Sequence, residues 1–480
     1  MHRLVMGVDS STQSTTVQLR SIETGHLVTS ASSPHPPTTP PRSETDPEAW
    51  WHSLIECCDQ LGELRKRVVS LSIAGQQHGL VILDKASRVI RPAKLWNDTE
   101  SAPQAEELRK RIGPEVWARA SGSVPVASFT ITKLAWLFAN EPHNAEQAAK
   151  LMLPHDWITW RLTGEHVTDR GDASGTGWFD PSADVYRPDL LSLVAERDWT
   201  SLLPRVLGPV DPAGVLTADA ARDLGLEPGT IVGPGTGDNM AAALGLGLQP
   251  GDVGISLGTS GTVFAVSSVP TSDATGAVAG FADATGRYLP LVCTLNATRV
   301  TDTVAAWLGV DLPEFAALAL KAPVGSEGVT LVPFFDGERT PNRPDASGQM
   351  FGLRNVTSRT HIARAAHEGV LCGLLNGMDA LAANGSETSG RMILAGGGAR
   401  SAAYRQILAD LAGSEIVVPE TTDAVAAGSC LQAASVWTGE TPLALTSQWE
   451  LGAGLVVEPT PGADGMAARG AFDQAVFGRS

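Results

Sequence analysis

What this chain lacks narrows its function first. It has no run approaching the roughly 20 apolar residues needed to span a bilayer, so no transmembrane helix is expected. It has no surplus of positive charge. The 35 Lys and Arg stand against 52 Asp and Glu, a net charge of −17, which argues against nucleic acid or an anionic membrane as the main partner. A local nest of backbone amides can still outweigh that distant field for a single polyphosphate. Cysteine is scarce: five residues, at 57, 58, 293, 372 and 430, with no Cys-x-x-Cys spacing and an odd total. Neither a disulfide frame nor a zinc site is expected. No apolar leader precedes the first strand pattern, so a reduced cytoplasm is the expected compartment.

What is present is a globular composition, 43% hydrophobic and 18% charged, in 480 residues. That length is enough for several domains. One pattern occurs twice, a β-type run, a Gly/Ser/Thr turn and a second β-type run. The copies are LVMGVDSSTQSTTVQL (4–19) and VGISLGTSGTVFAV (253–266). Each turn offers amides and hydroxyls to an anion, so two similar domains facing one polyphosphate are expected. Asp9 ends the first strand, where Ser256 stands in the second copy. The break LQPGD sets the expected division at 1–248 and 249–445, with 446–480 unassigned. Between and after the hairpins, strand and helix patterns alternate, which predicts α/β layers. They include VVSLSIAG (68–75), a helix after Asp46-Pro47, and HIARAAHEGVLCGLLNGMDAL (361–381).

The candidate chemistry lies where these patterns break. Asp9 can orient a magnesium ion through water, or simply cap its own turn. Asp238 and Asn239 lie in GPGTGDNMAAALG, where Asp238 reads equally as a general base and as a helix cap. Gly396, Gly397 and Gly398 sit between a strand and a helix, a place that suits a nucleotide, though no Gly-Lys-Ser/Thr follows to make a Walker loop. GQQHG (75–79) ends a strand in Gln77 and His78, which suit a polyol or a satisfied core turn. LWND (95–98) sets Trp96 beside Asn97 and Asp98, as carbohydrate sites often do. GERTP (337–341) offers Arg339 to a cleft or forms a surface turn before Pro341.

These pieces, in this order, resemble the FGGY carbohydrate kinases over residues 4 to about 440. GVDSSTQSTT is similar to the family's first phosphate motif, SLGTSG to the second, GTGDN to the segment of the catalytic aspartate, and LAGGGARS to the adenosine turn. The resemblance implies an α/β fold of two ribonuclease-H-like, actin-like ATPase domains with a catalytic cleft between them. It implies ATP and Mg²⁺, and transfer of the γ-phosphoryl group to the 5-hydroxyl of D-xylulose. Asp238 would be the base and Asp9 would hold magnesium through water. Gln77, His78 and Asn239 would bind the sugar, with Asn97 and Asp98 beside them. Ser11, Thr12, Gly258, Thr259 and Ser260 would line the phosphates, and Gly397, Gly398 and Ala399 the adenosine. A homodimer is one expectation for the assembly. Two other readings stand beside this one. The first is a kinase for ribulose, fuculose, glycerol or another polyol. The second is a nucleotide-gated chaperone or filament protein on the same core.

Overall fold

Leu4–Ser10 and Ser14–Ser21 pair antiparallel, with Asp9 opposite Thr16, and Leu4–Ser10 also pairs in parallel with Val68–Gly75. Every residue of Leu4–Ser10 is buried, as expected of a strand flanked on both edges and covered on both faces. In the computed structural model, which describes residues 3–421 and 423–478, these strands form the centre of a mixed sheet. Its order runs Gly214–Val215, Ile231–Val232, Val68–Gly75, Leu4–Ser10, Ser14–Ser21, Leu27–Pro34. The helix Pro47–Gln60 covers one face. Asp46 caps it by accepting from the Glu48 N–H at 3.0 Å, and it buries Trp50, Trp51, Leu54, Cys57 and Cys58. Trp50 meets Trp157 edge-on at 6.1 Å between ring centroids. Two fully buried indoles of this kind contribute on the order of 2–3 kcal/mol each.

The same pattern recurs in a second sheet. Val253–Leu257 pairs antiparallel with Gly261–Ala265 and parallel with Met392–Ala395, which pairs with Ile416–Pro419. Gly454–Val457 closes that edge antiparallel. The long helix Arg359–Ala383 is buried along most of its length.

The two compact units are discontinuous in sequence. One comprises Met1–Gly247, Val269–Leu289 and Thr421–Leu451; the other comprises Leu248–Ser268, Pro290–Glu420 and Gly452–Ser480. This differs from the expected contiguous division at 248/249 and 445/446. The helix Ala424–Thr438 carries small and apolar residues all round, so its pattern says that it is buried but not against which sheet. It packs on the first unit's strands. The region after residue 445, left unassigned from its pattern, contains the helix Gly465–Phe477 and the edge strand Gly454–Val457. Leu455 and Val456 on that strand are half exposed, so no alternation marks it. Among the described residues, no disulfide joins the cysteines and no single helix is long and apolar enough to cross a membrane.

Candidate functional site

In the first unit, Thr236–Gly237 runs parallel to the end of Val68–Gly75, so the segments beginning at Gln76 and Asp238 leave the sheet side by side. A Cβ on Gly237 would come 2.7 Å from the Gln77 side chain, so only glycine allows this approach. Asp238 opens the helix Asp238–Gly245, where the free N–H groups favour negative charge. Its Oδ1 accepts from the Asn239 N–H at 2.8 Å and from Asn239 Nδ2 at 2.9 Å. Desolvation nonetheless outweighs these bonds and pushes the carboxyl up to about 6. Asn239 Nδ2 also donates to Gln77 Oε1 at 2.8 Å. Gln77 Nε2 is buried without an acceptor among the described residues. Asp238, Asn239 and Gln77 therefore form one connected set.

His78 follows with φ +67°, a left-handed conformation that costs a non-glycine residue roughly 1–2 kcal/mol. Its contacts there include Phe129 stacked at 4.9 Å, Phe281 at 5.6 Å, and a 2.8 Å hydrogen bond between Nδ1 and the Gly175 carbonyl. A Cβ on Gly175 would come 2.7 Å from His78 Cε1. Nothing in the local sequence pointed to Phe129, Phe281 or Gly175, because they come from three distant segments.

Asp9 is buried in the same unit. Ser11 Oγ lies 3.4 Å from its Oδ2, and its Oδ1 has no partner among the described residues. Burial, and then the charges of Asp423 and Asp238, raise its carboxyl well above the usual range. Asp423 was not singled out from sequence. It caps the helix Ala424–Thr438 through the Ala426 N–H at 3.0 Å, and its local pattern is only that of a cap. Thr12, expected at phosphates, lies with its hydroxyl toward Trp96 Nε1 at 2.8 Å and Gln76 Oε1 at 3.4 Å. Asn97 Oδ1 is buried without a partner.

Asp98, expected beside the sugar, is fully buried and spent elsewhere. Oδ2 accepts from the Ser43 N–H at 2.9 Å and from Lys94 Nζ at 3.0 Å, and Oδ1 from the Glu100 N–H at 3.1 Å. Lys94 also meets Glu44 and Glu100, and Arg91 and Arg42 pair with Glu44, so three cations balance the acidic trio Glu44, Asp98 and Glu100. Asp98 thus anchors the loop that presents Trp96, and the sequence alone could not separate these roles.

The second unit holds a cavity of about 780 Å³, a volume suited to a nucleoside. Gly258, Thr259, Gly397 and Gly398 line it, so the second hairpin turn and the glycine turn come together. The Thr298 N–H donates to the Gly258 carbonyl at 3.0 Å and fixes the turn against the helix Thr298–Leu308. Ser260 is exposed at the turn. Leu312, Phe315 and Leu320 supply an apolar wall, with Asp302 and Thr301 as its polar groups. Gly396 has φ +86°, and a Cβ on Gly398 would meet Leu257 at 2.3 Å, so the turn packs directly on the strand. Ala399 is buried beneath the turn, and Arg400 and Ser401 line the cavity in its place. Near Arg339 the turn is pinned by Glu338, which accepts from the Leu295 N–H at 2.7 Å and Asn296 Nδ2 at 2.9 Å.

Comparison with known proteins divides the chain contiguously. The FGGY family of carbohydrate kinases matches with its N-terminal domain over residues 4–245 and its C-terminal domain over residues 253–437. The chain is 46% identical over 456 residues to a xylulose kinase of Streptomyces rubiginosus, covering 95% of this chain and 92% of that protein. The crystal structure of xylulose kinase from Bifidobacterium adolescentis superposes with a TM-score of 0.88 at 41% identity, covering 99% of both chains. A gluconate kinase from Lactobacillus acidophilus superposes at 0.92 with 22% identity, over 100% of this chain and 99% of that one, which speaks to the fold alone. The architecture is the two-domain α/β, actin-like ATPase fold that the motifs implied. Through both matched domains, the chain belongs to the FGGY family of carbohydrate kinases.

Proposed function

We propose that this protein transfers the γ-phosphoryl group of ATP to the 5-hydroxyl of D-xylulose. The observation that carries the reading is the connected set Asp238–Asn239–Gln77, in a chain 46% identical over nearly its whole length to a xylulose kinase. Asp238 Oδ2, the oxygen not engaged by Asn239, takes the proton of the attacking hydroxyl. Gln77 Nε2 donates to a sugar oxygen, and His78, held in its strained conformation, orients the same ligand. ATP places its base against the apolar wall of the second unit, with its phosphates toward Gly258 and Thr259. Asp9 Oδ1, buried without a donor and repelled by Asp423 and Asp238, fits a divalent cation. When bound, magnesium would spread the charge on the phosphoryl oxygens. Asp9 would hold it with Asp423 nearby.

The test is ADP release with MgATP and a panel of ketoses and polyols. Turnover strongly dependent on D-xylulose supports the reading. Preference for another sugar moves the substrate and keeps the chemistry. Sugar-independent ATP turnover would sink it.

The geometry also sets a pH dependence and two substitution effects. Protonated Asp238 cannot act as a base, so kcat/KM for the sugar should fall about tenfold per pH unit below about 6 and level off above it. A pH–rate profile checks this, and a flat profile down to pH 5 contradicts it. Gly175→Ala should push His78 out of place and raise the sugar KM by about tenfold, with the ATP KM unchanged. A Cβ on Gly397 would meet no atom within 4 Å, so Gly397→Val should fold normally and raise only the ATP KM, again by about tenfold. Steady-state kinetics with each substrate varied in turn check both.

A further inference from the structure

A buried charge cluster packs behind the Asp238 segment, and the chemistry above leaves it unused. His155 is fully buried, and its Nε2 stands 3.3 Å from Asp156, 3.4 Å from Asp169 and 3.3 Å from Asp172. Burial works against a charged ring, yet the surrounding carboxylates outweigh it and raise His155 to about 9. Two glycines make room for the ring. A Cβ on Gly235 would come 2.6 Å from Nδ1, and one on Gly75 would come 3.0 Å from the His155 Cβ. Each glycine opens a segment of the site: Gly75 leads into Gln77 and His78, and Gly235 into Thr236, Gly237 and Asp238.

Asp169 connects the cluster to the base. Its Oδ2 accepts from Thr236 Oγ1 at 2.7 Å and from the Gly171 N–H at 2.8 Å, and its Oδ1 accepts from the Asp172 N–H at 3.0 Å. Thr236 stands two residues before Asp238, on a strand only two residues long. Two ladder positions leave such a strand little restraint of its own. A buried ion cluster adds little stability over apolar packing of equal volume, but the hydrogen bonds that Asp169 accepts from Thr236, Gly171 and Asp172 hold those groups in one geometry.

We propose that His155, Asp169 and Thr236 are positioning residues for phosphoryl transfer: the His155 ring fixes Asp169, Asp169 anchors the Thr236 hydroxyl, and Thr236 fixes the direction of the Asp238 carboxylate. The inference rests on Asp238 being the base. It goes beyond that reading by assigning a second layer of residues that touch neither sugar nor nucleotide.

The experiment is steady-state kinetics on the full chain. Thr236→Val keeps the shape and removes the hydroxyl. It should lower kcat by about 10- to 100-fold, since a misplacement of about 1 Å costs that much, with the ATP KM little changed. Thr236→Ser restores the hydroxyl and should recover most of the rate. His155→Gln should move kcat in the same direction. If it fails to fold, the Thr236 pair still decides. In an Asp238→Asn background, Thr236→Val should cost nothing further, because it acts through the missing carboxylate. Full activity of Thr236→Val, failure of the serine rescue, or an additive loss in the double variant overturns the inference. If Asp238→Asn itself is fully active, the base assignment has failed instead, and the two failures are told apart.

Discussion

Replacing Asp238 with asparagine is expected to lower kcat by about 10²- to 10⁴-fold, the range that a positioned general base supplies. Asparagine is close to aspartate in shape, and at the first helical position it gives up only the charge that the helix N-terminus favours. Its Oδ1 can still accept from the Asn239 N–H and Nδ2, so the link to Gln77 should survive. What disappears is the lone pair that takes the proton. The stability effect has the opposite sign. The folded carboxyl titrates near 6, above the ordinary aspartate value of about 4, so the folded state disfavours its ionised form. That cost begins as pH rises through the unfolded value and is complete above about 6. Asparagine removes it, and the variant should melt at or above the wild-type temperature at pH 8. An inactive protein that is no less stable would identify Asp238 as chemical rather than structural. A kcat within about tenfold of wild type would remove it from the mechanism.

Valine at Gly428 is expected to unfold the first unit at temperatures where the wild type is intact. The helices Asp238–Gly245 and Ala424–Thr438 meet through glycines. A Cβ on Gly428 would lie 1.9 Å from the Ala241 carbonyl oxygen, and one on Gly245 would lie 1.8 Å from that of Ala424. The other side of Ala424–Thr438 is equally close to the sheet, since a Cβ on Gly7 would come 2.1 Å from the Ala426 oxygen. Each obstacle is backbone, which cannot rotate away, and the helix cannot retreat from one neighbour without striking the other. A clash of this kind belongs to the rare substitutions costing above about 4 kcal/mol, against a total stability of about 5–15 kcal/mol. The melting temperature should fall by roughly 10 °C or more. Calorimetry checks this against Gly397→Val, which adds the same side chain where no atom stands within 4 Å. Equal melting of the two variants would show that the helix contact is not as close as described.

The difference between these two glycines separates what was legible from what was not. In sequence, the glycines of LAGGGARS advertise a turn, while Gly428 is one small residue among many in AVAAGSCLQAAS. Asp238 was legible as a candidate because GTGDN stands at a strand-to-helix break, whereas its link to Gln77 and its desolvation come from distant segments. Asp98 was misleading for the converse reason. The pattern LWND is the same whether its acid faces a ligand or Lys94, and only the position of Lys94 decides. Asp423 was illegible because its neighbour Asp9 lies at the other end of the chain, and the His155 cluster, though drawn from residues 155–172, was illegible because its link to Thr236 is made only in the fold.

The sequence by itself determined the two hairpins, the alternation of strand and helix, the family, and the candidates that stand at or near the end of an element: Asp9, Gln77, Asp238 and Gly397. These depend on periodicity and turn chemistry, which act within a few residues. The tertiary structure decided which helix joins which unit, which carboxylates are spent in ion pairs, and which are left buried without a partner. Those outcomes depend on desolvation and on contacts between residues distant in sequence, and no local pattern records them.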